Sequence, residues 1–137
     1  FVVDGSPFSD MEDLSPREVQ ELEGFKKVFI NPIILEEFGD EWAFEEGCLS
    51  IPGINADVLR KDSLTIEYYN ENWELIEEQF SGLPARIIQH EYDHIEGVLF
   101  TDLVNPLKKR FLSKKLTKIT VGDVDAKYKM KFAKKKR

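Results

Sequence analysis

One cysteine in 137 residues, Cys48, cannot form an internal disulfide. Small secreted scaffolds held by disulfides are therefore excluded, and a reducing cytoplasm is the expected setting. Histidine is nearly as scarce, with two copies. No run approaches the roughly 20 uncharged apolar residues of a membrane span. Phe1-Val2-Val3 is followed at once by Asp4 with no basic region, so no secretory leader is expected. Eight Gly and six Pro without a period exclude collagen-like and low-complexity chains. With 42% hydrophobic and 12% aromatic residues the chain can bury a modest core, and one domain over 1–137 is expected.

Charge is divided unevenly. Beyond Pro106 there are 13 Lys or Arg against Asp123 and Asp125, while residues 1–106 carry 6 basic and 24 acidic groups. The basic segment 106–137 suits a polyanionic neighbour such as ribosomal RNA, or is a solvated end.

Hydrophobic spacing predicts an α+β fold: antiparallel strands packed around a central helix, plus a C-terminal amphipathic helix. Phe1-Val2-Val3 reads as a buried strand. Ser15-Pro16-Arg17-Glu18 has the form of a capping box opening a short helix over 16–23. Residues 27–30 and 33–35 read as strands separated by Asn31-Pro32, and 50–54, with Pro52 and Gly53, as a bend. Residues 64–68 and 73–80 form a hairpin about a turn at 70–72. Gly82-Leu83-Pro84 opens a helix that Gly97 stops. Asn105-Pro106 opens the last one, with Leu107, Phe111, Leu112 and Leu116 on its apolar side.

The central helix carries His90-Glu91-Tyr92-Asp93-His94. Four residues are just over one turn, so both imidazoles leave the same face and can share a metal, with Glu91 beside them as general base. Chance placement of the two histidines and this glutamate occurs on the order of a few times in two thousand. A catalytic metal usually has three protein ligands and an open position. Extended metalloprotease patterns put a third His where Phe100 stands, or a Glu well downstream. After His94 the acids are Glu96, Asp102, Asp123 and Asp125. The remaining soft ligand is Cys48. A zinc endopeptidase, a metal-binding or ribosome-binding remnant without activity, and an amide hydrolase are the readings these residues allow.

Glu46-Gly47-Cys48-Leu49-Ser50 followed by Gln89-His90-Glu91-Tyr92-Asp93-His94 resembles the second and third motifs of the peptide deformylases, E-G-C-L-S and Q-H-E-x-D-H, and the resemblance extends over 27–105. That family's first motif, G-x-G-L-A-A-x-Q, has no counterpart here, so the chain is expected to be incomplete at its N-terminus. The resemblance implies removal of the formyl group from N-terminal formylmethionine of nascent polypeptides. Cys48, His90 and His94 would hold Fe(II), with zinc, nickel or cobalt as substitutes. Glu91 would take the proton of the attacking water and pass it to the leaving amine, and the Leu49 backbone N–H would face the oxyanion. Phe44, Glu46, Gly47, Leu83, Arg86 and Ile87 would surround the methionine side chain, Arg86 through its aliphatic stem. Asp93 and Glu96 would orient imidazoles or stand in solvent. The expected partners are formylmethionyl peptides and, through the basic segment, the ribosome. A monomer is expected, with no membrane and no sequence-specific nucleic acid.

Overall fold

The computed structural model describes residues 1–12 and 14–132. Its elements are β1 (Val2–Asp4), α1 (Pro16–Glu23), β2 (Lys26–Val28), β3 (Ile30–Cys48), β4 (Ile51–Tyr69), β5 (Leu75–Ser81), α2 (Gly82–Glu96), α3 (Phe100–Leu103) and α4 (Pro106–Thr120). The α+β class is as expected. β1 pairs antiparallel with β2, and β3, β4 and β5 form a second sheet in that order. The described residues fall into two compact units, 1–42 with 60–98, and 43–59 with 99–132.

In the first unit, Val3, Phe25, Phe29, Leu64, Ile66, Tyr68, Ala85 and Ile88 form one buried cluster. Large side chains buried this completely each contribute roughly 1.5–3 kcal/mol. Phe29 centres the aromatic part, with its ring 4.4 Å from Tyr68 and 5.0 Å from Phe1. The predicted hairpin forms in register, Leu64 opposite Phe80 and Tyr68 opposite Ile76. Tyr68 donates its hydroxyl to Glu78, which Lys27 neutralises at 2.7 Å. Burial and that carboxylate raise the phenol pKa. The predicted capping box also forms: Glu18 N–H donates to Ser15 Oγ, and Ser15 N–H to the Glu18 carboxylate.

Several boundaries depart from expectation. Asn31-Pro32 does not separate a pair of strands. Asn31 takes φ 48° and β3 continues through it for 19 residues. Gly39, at φ 81°, is the second special point, because a Cβ there would collide with the Asp62 carboxylate. β5 begins at Leu75 rather than Trp73, since Trp73 occupies the turn at φ 61°. β5 runs into α2 without a linker. Gly82 makes the switch at φ 62°, and Pro84 follows in the first turn, where a missing N–H costs nothing.

In the second unit β4 begins at Ile51, inside the stretch expected to be only a bend. Gly53 at φ 69° absorbs the irregularity, and strict alternation then buries Ile54, Ala56 and Val58. With Ile51, Phe100 and Val104 these form the unit's core. The helix α4 is capped by Asn105 Oδ1, which accepts from Lys108 N–H at 2.8 Å. Its buried stripe keeps two of the four residues expected, Leu112 and Leu116. Leu107 and Phe111 are 66% and 75% exposed, whereas Leu112, Leu116 and Ile119 lie against the core. Residues 124–132 form no helix or strand, and 133–137, which belong to the expected basic end, lie outside the described residues.

Candidate functional site

Helical geometry sorts the site residues of α2 into faces. At about 100° per residue, Leu83, Ile87, His90 and His94 fall within about 60° of one another around the axis. Ala85 and Ile88 lie on the opposite side, in the core of the first unit. The helix is thereby fixed by one face and presents the histidines on the other. Their ring centroids are 5.0 Å apart. Glu91, next to His90, is half-buried. Gly97 takes φ 75° and closes the helix directly after the second histidine, with Val98 N–H donating to the Asp93 carbonyl at 2.8 Å.

Two polar side chains that sequence reasoning left out of the site hold this helix. Gln89, buried beside His90, donates through Nε2 to the Lys61 carbonyl on β4 at 3.1 Å. Arg60, also on β4, donates through Nη1 to Asp93 Oδ2 at 2.7 Å. Asp93 therefore answers an arginine, and Glu96 is exposed. Period-two burial around Arg60 was the signal available for it: Ala56, Val58 and Arg60 share one face of β4. Losing the arginine strands the part-buried Asp93 carboxylate, so Arg60→Leu is expected to lower the unfolding free energy by about 2 kcal/mol. Urea unfolding checks this, and a loss under about 0.5 kcal/mol would make it an ordinary surface pair.

Arg86 is buried as well. Its Nη2 donates to the Trp42 carbonyl at 2.7 Å, and its guanidinium carbon lies 4.5 Å from the Trp42 ring centre. Its charged end is thus engaged inside the first unit.

In the second unit, alternation along β3 places Phe44, Glu46 and Cys48 on one face. Glu46 is buried, while Phe44 and Cys48 are half-buried. Cys48 is in no disulfide and packs against the unit's core. Gly47 passes close to Asn55, whose Oδ1 would stand 2.8 Å from a Cβ there. Leu49 and Ser50 connect β3 to β4, and the Leu49 side chain is 77% exposed.

These motifs lie inside a family match. The sequence profile of the polypeptide deformylases matches residues 8–110. The peptide deformylase of Christiangramia forsetii is 55% identical over 132 residues, covering 96% of this chain and 67% of that protein. That of Flavobacterium psychrophilum is 55% identical over 137 residues, covering 100% and 71%. Among solved structures, peptide deformylase 1B of Arabidopsis thaliana, in complex with an inhibitor, superposes with a TM-score of 0.70 at 40% identity. The match covers 74% of this chain and 56% of that one, so the chain spans little more than half of the plant enzyme's solved length. A Plasmodium falciparum peptide deformylase gives 0.71 at 32% identity, covering 89% and 64%. With its second and third motifs complete and the match running through most of its length, the chain belongs to the polypeptide deformylase family.

Proposed function

We propose that this chain hydrolyses the formyl amide of N-terminal formylmethionine on new polypeptides, with a divalent metal held by Cys48, His90 and His94. The observation that carries the reading is the donor set. Two of its members, His90 and His94, have ring centroids 5.0 Å apart on one face of α2, and the third, Cys48, is the thiol of the complete second motif. One thiolate and two imidazoles are donors that suit zinc and first-row metals such as iron, and three protein ligands leave a position open. By resemblance the native metal is Fe(II), with zinc, nickel or cobalt as substitutes. A bound divalent cation supplies Lewis acidity, which polarises a carbonyl and makes water nucleophilic near neutral pH.

The chain's own residues supply the rest. Glu91 accepts the proton of the attacking water and returns it to the amide nitrogen as the C–N bond breaks, so that formate and a free amine leave. The Leu49 N–H faces the carbonyl oxygen as charge develops on it. Leu83 and Ile87 share the histidine stripe of α2 and offer apolar contact to the methionine side chain. Phe44, Glu46, Gly47 and Arg86 complete that surround by resemblance. The test is hydrolysis of formyl-Met-Ala-Ser beside an unformylated peptide of the same sequence. Formate release from the first, abolished by a chelator, with no cleavage of internal bonds, supports the reading. Internal cleavage or no formate overturns it.

The family match runs through both units, and we take them as one monomeric catalytic domain working in the cytoplasm, where nascent chains carry the formyl group. No described helix is long and apolar enough to cross a membrane.

The second partner is the ribosome, reached through α4 without sequence-specific base reading. Leu112, Leu116 and Ile119 fix one side of this helix, and Lys109, Arg110, Lys114, Lys115 and Lys118 are exposed. Phosphate contacts release counterions, so co-sedimentation with ribosomes is expected to fall steeply with salt, by about one log unit of affinity per log unit of salt for each phosphate neutralised. Replacing Arg110, Lys114 and Lys115 together by Glu should abolish pelleting and leave deformylation intact. Equal pelleting of the variant, or pelleting indifferent to salt, would remove the ribosome from the account.

A further inference from the structure

Beyond α4 the chain folds back within the second unit. Asp123 N–H donates to the Lys118 carbonyl at 2.9 Å and Gly122 N–H to that of Ile119 at 3.0 Å, ending the helix in a reversal. Gly122 takes φ 79°, and a Cβ there would stand 3.1 Å from the Phe132 ring, so the returning strap closes tightly on its own origin. Because α4 is anchored by Leu112, Leu116 and Ile119, the strap begins from a fixed point. Its residues 125–128 form one wall of an open cleft of about 540 Å³, and the opposite wall includes Gly47, Cys48 and Leu49. Across the edge of this cleft the Tyr128 hydroxyl donates to the Leu49 carbonyl at 2.6 Å.

We propose that Tyr128 is a positioning residue for the reaction: its hydroxyl holds the Leu49 turn, and through it the backbone beside Cys48, in the orientation hydrolysis needs. The proposal rests on the deformylase reading, in which Cys48 is a ligand and the Leu49 N–H faces the developing oxyanion. Leu49 lies in a two-residue connection with its side chain in solvent, so packing does little to fix its backbone angles. A bond to its carbonyl restrains the torsion between that carbonyl and its own N–H. An N–H donor loses strength steeply as it swings off line, and a donor aimed at the transition state acts on kcat more than on KM. Tyr128 is 40% exposed, so its ring is partly covered, and removing the hydroxyl alone isolates the bond to Leu49 from that packing. The strap reaches this point 79 residues downstream of Leu49, through a contact that no local pattern announces.

The test is Tyr128→Phe in the otherwise unchanged protein, loaded with zinc so that NMR and kinetics use one sample. The ring stays, and the Leu49 carbonyl passes to water. The amide order parameters of Leu49 and Ser50 are expected to fall from about 0.85 towards 0.6. Deformylation of formyl-Met-Ala-Ser is expected to lose about tenfold in kcat with KM within about twofold. The melting temperature and zinc content should hold. Order parameters equal in the two proteins overturn the proposal, as does an unchanged kcat. A melting temperature that falls in step with kcat also overturns it, because Tyr128 would then be only a structural residue. If the unsubstituted protein releases no formate while the turn loosens on substitution, the deformylase reading and the catalytic side of the proposal fall together, and the tether alone stands.

Discussion

Cys48→Ser is expected to empty the metal site and reduce deformylation about a thousandfold. A thiolate is the one anionic member of the donor set, and serine at neutral pH offers a neutral, weakly ligating hydroxyl in its place. A catalytic metal supplies several kcal/mol of transition-state stabilisation, and about 4 kcal/mol corresponds to that factor in rate. Cys48 also touches the core of its own unit, so a modest packing loss accompanies the change. The melting temperature of the metal-free parent separates the two effects. Metal analysis after dialysis should find the parent near one equivalent and the variant near none. A variant that keeps both its metal and its rate would remove Cys48 from the ligand set.

The complementary result is expected at Glu91. Glu91→Ala should retain about one metal equivalent and lose roughly 10²–10⁴ in kcat, the usual contribution of a positioned acid–base group. The distinction follows from the helix. His90 and His94 lie one turn apart on the outer stripe of α2, whereas Glu91 is displaced from that stripe by about 100° from His90. It stands beside the pair and has a different task from them. Its carboxylate is half-buried. Glu91→Gln keeps the shape and removes the proton acceptor, so it should be as inactive as the alanine variant. An empty metal site in either variant would make Glu91 a ligand, and full activity in both would end its role as base.

Much of this architecture was legible because local signals agreed with one another. Ser15 and Glu18 sit at the spacing of a capping box, and both of its bonds form. The hairpin around Asn70 and the helix of His90 each carry a clean period and a stop residue. The long strands were concealed for two reasons. Glu36, Glu37, Asp40, Glu41 and Glu45 dilute the apolar pattern of β3, although Phe38, Trp42 and Phe44 keep period two. Gly53 and Pro52 look like the end of a strand, yet positive φ at the glycine lets β4 run through them. In α4 two apolar stripes are present, and only tertiary packing chooses Leu112, Leu116 and Ile119 over Leu107 and Phe111. At the site, the two histidines and Glu91 announce themselves by spacing, and Cys48 by being the one soft ligand left. Arg60, Gln89 and Tyr128 act through contacts with residues distant in sequence, where periodicity carries no information.

The most direct measurement is X-ray absorption at the metal edge of the zinc-loaded protein. The account predicts one sulfur at about 2.3 Å and two imidazole nitrogens at about 2.0–2.1 Å, with the remaining scatterer a light atom. The sulfur shell should vanish in Cys48→Ser, and one imidazole in each of His90→Ala and His94→Ala. A shell of nitrogen and oxygen alone in the unsubstituted protein, or a sulfur shell that survives in Cys48→Ser, would contradict the account.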